Sequence, residues 1–446
     1  MKFKEIIDSS CGLRYCFESL PLMSGYSRHY MLETEMYTTE KDIKFHQDKV
    51  REYSEFVQKY ENKNLLCSLQ HQLSAIKDIH ETIENLSLEK TLDDIELFEI
   101  KNLALLSSKI SRILAKHYIN CDISASIEEV INILDPDGNR ISTFYVYDRY
   151  SKELAQIRQH IRCTKDEDTI LKLTIESQEL EIHIREKICK SLLKYSKMLK
   201  ETLEAMVLVD IYLAKSVMNR DLNLNFPTIS QSDNILKSMF NPLIKSLLKE
   251  KGKDFQNIDI SFNDKPVLII GSNMGGKTVV LKTVILCQYL FQFGFGLPVK
   301  EAEVSIRKDI FFCAGDGQDE KEGISSFGSE MKRIDEVIRC QTNGKDILAL
   351  IDEPARSTNP IEGTALVSSL IKILYKKNIS LLMTTHYNIE SKDCQRLKVK
   401  GLENGKMNYS LRPSPSGEVP QEALNVATNM GISKEWIAEA KKILNN

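Results

Sequence analysis

The sequence has few of the features that mark membrane-spanning, secreted or disulfide-stabilised proteins. Its 446 residues include only 11 prolines and one tryptophan, and scarce proline favours a helix-rich chain. The longest apolar candidate, from Thr278 to Val299, contains Lys282, Gln288 and Gln292, so no span of about 20 apolar residues is predicted. The amino terminus has no apolar segment typical of a secretory signal. We therefore expect a cytoplasmic protein.

Neither the net charge nor the spacing of metal-ligand residues identifies a partner. There are 60 Lys and Arg residues against 63 Asp and Glu, a net charge of -3, so no overall basic excess predicts nucleic acid. Ten cysteines occur without a C-x-x-C pair, and eight histidines occur without H-E-x-x-H. We interpret the cysteines as reduced, mostly buried thiols, and we expect no zinc site.

The composition changes near residue 225. Residues 30–220 contain no Pro or Gly apart from Pro136 and Gly138, and their apolar residues recur mostly every three or four positions, which predicts helices. After residue 225, short apolar runs alternate with helix-like segments, a pattern typical of a parallel sheet covered by helices. We predict two domains, an all-helical one at 1–224 and an α/β one at 225–446.

A phosphate-binding loop is the strongest motif. The pattern G-x-x-x-x-G-K-T lies between a strand-like and a helix-like segment. It consists of Gly271, Ser272, Asn273, Met274, Gly275, Gly276, Lys277 and Thr278. The glycines let backbone N–H groups converge on an anion, and the helix that follows adds a favourable dipole. We expect Lys277 to reach the β- and γ-phosphates of a nucleotide and the Thr278 hydroxyl to ligate Mg²⁺.

Two further strand-like runs end in candidate catalytic residues. The run 347–351 precedes Asp352 and Glu353. We predict that Asp352 holds Mg²⁺ through water and that Glu353 polarises the attacking water. An apolar run ending in two acids is a weak signal alone and becomes informative beside a phosphate loop. The run 379–385 precedes His386, interpreted as a sensor of the γ-phosphate; the plainer alternative is a polar residue where a strand leaves the core.

These motifs, in this order, resemble the ATPase domain of the MutS family, which is related to the ABC ATPases. The resemblance also includes stretches around Gln318, Ser325 and Glu330 and the closing segment from Tyr409 to residue 444. It implies a P-loop, ABC-type ATPase domain with a mainly parallel sheet. It further implies that Gln318 contacts the nucleotide and that Ser325 reaches the nucleotide of the other subunit in a homodimer.

A weaker resemblance extends upstream through residues 131–158. It implies that 1–224 is a MutS-like core with a shortened lever or clamp, in the branch without a mismatch-reading domain. Where the family inserts a long DNA clamp, between Arg162 and Ala214, only about one helical hairpin fits. Residues 151–220 carry 13 Lys and Arg against 11 Asp and Glu, a net of +2, which is little for a grip on DNA phosphates.

A second departure follows Glu353. The family more usually has Leu-Gly-x-Gly at this place, whereas this sequence has Pro354, Ala355, Arg356 and Ser357. We interpret this loop as specialised.

The adenine contact and the dimer contact are predicted less directly. Phe240, followed by Asn241 and Pro242, occupies the place where relatives have a base-packing aromatic, but it could equally be a helix-entry turn. The segment 423–444 has apolar residues on one side at helical spacing, including Trp436, Ile437 and Ile443. We expect it to supply dimer contacts, with an intrachain position for Trp436 as the alternative.

Two functions remain open from the sequence. One is a Mg²⁺-dependent ATPase whose homodimer switches between open and closed states on DNA, in mismatch repair or recombination. The alternative is an ATP-driven reactivating factor for a cobalamin-dependent lysine or ornithine aminomutase, without DNA binding, because the 352–356 loop looks like that of MutS-like ATPases that accompany those enzymes. An ABC transporter ATPase is disfavoured because the sequence contains no Leu-Ser-Gly-Gly-Gln.

Overall fold

The chain forms two compact units in the computed structural model. The structure describes residues 1–271, 276–314, 326–356, 358–389, 391–403, 406–415 and 432–445. The helical unit contains residues 21–34 and 51–217, and the sheet-containing unit contains residues 1–20, 35–50 and 218–446. No helix among the described residues is both long and apolar enough to cross a membrane.

Helices make up the whole regular structure of residues 40–222. The helices of the chain are α1 (Phe3–Ile6), α2 (Leu13–Glu18), α3 (Gly25–Glu33), α4 (Glu40–Gln58), α5 (Lys63–Leu73), α6 (His80–Ser87), α7 (Asp94–Ala115), α8 (Ile127–Leu134), α9 (Lys152–Cys163), α10 (Glu167–Leu192), α11 (Ser196–Leu222), α12 (Pro242–Glu250), α13 (Lys277–Gln292), α14 (Ser326–Arg339), α15 (Pro360–Lys376) and α16 (Lys434–Asn445). The expectation of a helical amino-terminal half is confirmed.

A buried ion pair between Lys101 and Asp135 lies in the helical unit. Lys101 on α7 donates to Asp135 Oδ1 at 3.0 Å, to the Thr143 carbonyl and to the Tyr147 hydroxyl. Both charged side chains are almost fully buried, so the additional acceptors offset the cost of removing Lys101 from water. Asp135 also begins a turn with Pro136 and Gly138, in which Gly138 donates its N–H to the Asp135 carbonyl.

The helices α9 and α10 form a hairpin that reverses at residues 164–166. Arg158 on α9 donates to Asp148 at 2.6 Å and to Glu181 of α10 at 2.9 Å, which holds the two helices together. With 26 residues, α10 is about 39 Å long. The shorter arm, α9, has 12 residues and is about 18 Å long, which limits the length over which the two helices pair.

The strands of the sheet-containing unit form two sheets. They are β1 (Thr228–Ser230), β2 (Asn234–Met239), β3 (Ile258–Phe262), β4 (Val267–Ile270), β5 (Glu301–Ser305), β6 (Asp309–Cys313), β7 (Ile347–Ile351), β8 (Ser380–Thr384), β9 (Gln395–Glu403) and β10 (Lys406–Pro413). The first sheet has the order β1-β5-β2-β3, and the second has the order β10-β9-β4-β8-β7-β6. The second sheet is parallel except for β10, which pairs antiparallel with β9.

The second sheet is covered by helices and has fully buried central strands. All residues of β4, β7 and β8 are buried, as expected for parallel strands with helices on both faces. Residues of α14 and α15 belong to the same apolar cluster as β7 and β8. The prediction of a mixed helical and α/β protein with a mainly parallel sheet is confirmed.

Two amino-terminal segments fold with the sheet-containing unit, although the sequence placed all of 1–224 in the helical domain. The Phe3 ring meets the Phe293 ring edge-on at 4.9 Å. Tyr37 and Gln292 exchange two hydrogen bonds, from the Tyr37 N–H to the Gln292 carbonyl and from Gln292 Nε2 to the Tyr37 carbonyl. Gln288 donates to Gln292 Oε1, so the amides that interrupt the apolar run of α13 satisfy buried polar groups.

Candidate active site

The strand β4 and the helix α13 hold the phosphate-loop motif in the context that the sequence predicts. Gly271 follows β4, and Gly276 is the residue before the first turn of α13, with φ +73°. A Cβ atom on Gly276 would lie 2.9 Å from Cδ1 of Tyr409, so both the backbone angle and the close contact require glycine there. Ser272, Asn273, Met274 and Gly275 lie outside the described residues.

Lys277 is buried at the amino terminus of α13. Its side chain is 3% exposed, and Nζ lies 3.1 Å from Glu353 Oε1. Nζ also donates to the Gly271 carbonyl at 2.9 Å. The structure thus brings the predicted phosphate-binding lysine together with the predicted catalytic glutamate, which lies 76 positions later in the chain.

Oxygen ligands suited to Mg²⁺ converge beside Lys277. The Thr278 hydroxyl donates to Asp352 Oδ2 at 2.8 Å, and the Thr384 hydroxyl donates to Asp352 Oδ1 at 2.5 Å. Mg²⁺ prefers hard oxygen ligands and commonly takes one or two from protein, the others from water and phosphate. In the described part of the chain, no group of three or more His, Cys, Asp or Glu side chains could hold a metal ion. The Thr278 hydroxyl and the Asp352 carboxylate supply two oxygen ligands of the kind that Mg²⁺ takes.

Glu353 is held by backbone and side-chain contacts at the end of β7. Its N–H donates to the Thr384 hydroxyl at 2.8 Å, and Arg356 Nη1 lies 3.4 Å from its Oε2. The carboxylate is 11% exposed. Its φ of +46° is uncommon for a residue with a side chain and carries strain of the kind that clusters at active sites.

His386 follows β8, on the strand next to the one that carries Glu353. Its ring lies against Tyr387, with 4.1 Å between the centroids. Partial burial lowers the pKa of His386; Glu353 opposes this shift, while Lys277 and Arg356 add to it. The imidazole is therefore neutral at pH 7 and can either donate or accept one hydrogen bond.

Phe240 lies in a helix-entry turn, as the plainer of the two predictions has it. Its side chain is 7% exposed, and Lys245 Nζ sits 4.3 Å from the ring centroid. Asn241 caps α12 by accepting from the Ile244 N–H, with Pro242 as the first helical residue. Because the ring is already covered, Phe240 offers little free surface for a base.

Tyr409 is an aromatic residue at the site that the sequence did not single out as a ligand. Its ring contacts Gly276, and its N–H donates to Gln256 Oε1 at 3.0 Å. Gln256 Nε2 also donates to Asn408 and Ser410 on either side. The only signal in the sequence was the place of Tyr409 in the closing segment, 133 positions after Gly276.

The remaining site predictions concern Gln318, Ser325 and the closing segment 423–444. Gln318 and Ser325 lie outside the described residues, as does the whole of 423–431. On α16, Trp436 is 69% exposed and Ile443 is 73% exposed, while Ile437 is buried. The alternative of an intrachain core position for Trp436 is therefore wrong, because most of that side chain is exposed.

The second sheet, with its parallel strands and covering helices, is that of an α/β protein, and comparison with known proteins shows which family it resembles. Residues 267–446 match the family model described as MutS domain V. The resemblance to the MutS family, in the branch without the mismatch-reading domain, is therefore confirmed.

The particular relatives are proteins named endonuclease MutS2. The chain is 28% identical over 418 residues to the one from Fusobacterium nucleatum, covering 84% of this chain and 52% of the relative. It is 31% identical to the one from Caldanaerobacter subterraneus, over 62% of this chain and 36% of the relative. It is 34% identical to the one from Caldicellulosiruptor bescii, over 60% of this chain and 34% of the relative. The chain thus spans about half or less of these relatives.

Proposed function

We propose that this chain binds and hydrolyses ATP with Mg²⁺ and couples that cycle to work on DNA. The observation that carries the proposal is the convergence of Lys277, the Thr278–Asp352 pair and Glu353 at one edge of the parallel sheet. Such an arrangement serves phosphoryl transfer, in which the protein positions the reactants and stabilises charge.

Each side chain has a distinct task in this proposal. ATP with its Mg²⁺ supplies the phosphoryl group that is transferred. Lys277 binds the β- and γ-phosphate oxygens, and Thr278 and Asp352 hold the metal. Glu353 orients the attacking water and accepts its proton, while neutral His386 donates a hydrogen bond toward the γ-phosphate. Tyr409, beside Gly276, supplies the aromatic wall for the base.

ATP turnover tests the catalytic part. Lys277→Ala should abolish ATP binding, because the buried cation of the site is removed. Glu353→Gln should bind ATP and hydrolyse it at least 100-fold more slowly, because the amide cannot accept the proton. Glu250→Gln, an exposed residue of α12, serves as the matched control. Native turnover in Glu353→Gln would mean that another group activates the water.

DNA is the proposed client because the relatives are named as endonucleases. The short hairpin α9–α10 and its small net charge predict a weak grip on phosphates. A DNA titration at two salt concentrations, with and without ATP, measures the number of phosphate contacts from the salt dependence of affinity. Salt-dependent, ATP-responsive binding supports the proposal. Absence of binding, with turnover stimulated instead by an aminomutase, would support the alternative function.

A homodimer with composite sites completes the proposal. The exposed Trp436 and Ile443 on α16 offer apolar surface for such an interface. Mixing Ser325→Ala and Lys277→Ala subunits tests it, because composite sites leave one site in each mixed dimer with both defects and one with neither. Recovery of activity above both parents supports the arrangement, and no recovery contradicts it.

A further inference from the structure

The loop that follows the Asp–Glu pair has a strained backbone. Glu353 has φ +46° and Ala355 has φ +59°, in the left-handed region that favours glycine. Ala355 is only 1% exposed. This is the segment in which the sequence departs from the more usual Leu-Gly-x-Gly, so an alanine stands in a conformation that a glycine would adopt without strain.

Two side chains from different elements hold the strained residue from both sides. Glu330 of α14 accepts the Ala355 N–H at 3.2 Å. The Tyr387 hydroxyl, one residue after His386, donates to the Ala355 carbonyl at 2.6 Å, and the Thr358 N–H donates to the same carbonyl at 3.2 Å. The peptide groups of Ala355 therefore connect α14, the end of β7 and the end of β8.

Gly363 on α15 leaves room for the Tyr387 side chain beside Ala355. A Cβ atom on Gly363 would lie 2.2 Å from the Tyr387 hydroxyl oxygen, closer than any such contact can be. Glycine at 363 thus leaves the space in which the hydroxyl reaches Ala355. Residues from three helices and loops, Glu330, Gly363 and Tyr387, thus meet at Ala355.

We propose that Glu330 and Tyr387 are positioning residues that clip Ala355 in its strained conformation and thereby hold the Glu353 carboxylate in place for hydrolysis. This inference rests on the proposed ATPase function. Both hydrogen bonds are made to Ala355, and only Pro354 separates Ala355 from Glu353, so the clip acts on Glu353 through the backbone. It should affect the rate of hydrolysis and leave ATP binding unchanged.

The test measures steady-state hydrolysis and ATP affinity in the full chain. Glu330→Ala and Tyr387→Phe should each lower kcat about tenfold, as misplacement of a catalytic group does, with Kd for ATP changed less than twofold. Glu330→Gln should keep most of the native kcat, because its amide oxygen accepts the same N–H bond. Glu336→Ala, exposed on the same helix, and Tyr375→Phe, exposed on α15, are the matched controls.

A second measurement reports on the clip without requiring hydrolysis. Arg356, with a side chain that is 67% exposed, is a trypsin site directly after Ala355. Release of the clip should increase the rate of cleavage after Arg356 severalfold in Glu330→Ala and in Tyr387→Phe, but not in the controls. Tyr387→Phe removes one oxygen atom and keeps the ring, so it remains informative if Glu330→Ala folds poorly.

The outcomes separate this inference from the proposed function. Unchanged kcat and unchanged cleavage in Glu330→Ala and Tyr387→Phe, with ATP binding lost in Lys277→Ala, would overturn the clip and leave the ATPase intact. A lowered kcat with native ATP affinity, restored in Glu330→Gln, supports the clip. A native chain that does not hydrolyse ATP would overturn both.

Discussion

Replacing Lys277 by methionine should destabilise the sheet-containing unit more than any change at a surface lysine. The Lys277 and Glu353 side chains are 3% and 11% exposed and lie 3.1 Å apart. Breaking a buried pair by removing one partner typically costs about 3–5 kcal/mol, because the other charge remains buried. Arg356 stays 3.4 Å from Glu353, so we expect the lower end, about 3 kcal/mol.

A double-mutant cycle isolates the pair from the methionine substitution itself. The combined Lys277→Met and Glu353→Gln variant leaves neither charge behind, so we expect it to cost about 1 kcal/mol, less than Lys277→Met alone. Lys237→Met, which breaks the exposed pair with Glu301, should change stability far less than Lys277→Met, because solvent screens that pair.

Scanning calorimetry without added nucleotide measures these differences. For a unit of this size, about 3 kcal/mol corresponds to a fall of roughly 6–12 °C in Tm. A Lys277→Met variant within about 2 °C of the native Tm would refute the reasoning. So would a double variant that loses as much stability as the two single variants added together.

Three further predictions concern the chemistry of the site. Tyr409→Ala should weaken ATP binding about tenfold while Phe240→Ala leaves it unchanged, measured by calorimetric titration; the reverse result would restore Phe240 as the base contact. Thr278→Val removes the hydroxyl at Asp352 and should raise the Mg²⁺ concentration for half-maximal turnover at least tenfold, and an unchanged Mg²⁺ requirement would exclude Thr278 as a ligand. The lowered pKa of His386 keeps the ring neutral at pH 7. Turnover should therefore be constant from pH 7 to 8 and fall only as the pH drops through that lowered pKa. If a His386→Gln variant shows the same fall in turnover at acid pH, another group causes that fall.

Much of the site could be predicted from the sequence because its signals are local. The phosphate loop is contiguous from Gly271 to Thr278, and its flanking strand and helix are encoded beside it. The convergence of Asp352 with Thr278 follows from the rule that parallel strands end at the same edge of a sheet. The roles of these residues stay predictions until the variants are measured.

Other features depend on contacts between residues distant in the chain. The position of Tyr409 over Gly276 requires the antiparallel β10, which no local pattern predicts. The left-handed conformation of Ala355 could not be read from its residue type, since alanine disfavours it. The assignment of residues 1–20 and 35–50 depends on tertiary packing of Phe3 and Tyr37, whereas their helical periodicity resembles that of the helical unit.

The sheet-containing unit is interleaved in sequence with the helical unit, which limits how the gene can be divided. A fragment starting at residue 225 would leave Phe293 without the Phe3 ring and the Gln292 amide without the Tyr37 carbonyl. Each buried polar group left unsatisfied costs about 1–3 kcal/mol, and the uncovered aromatic surface would promote aggregation. Transplanting the sheet-containing unit into another protein therefore requires carrying residues 1–20 and 35–50 along with it, so the unit cannot serve as a contiguous cassette.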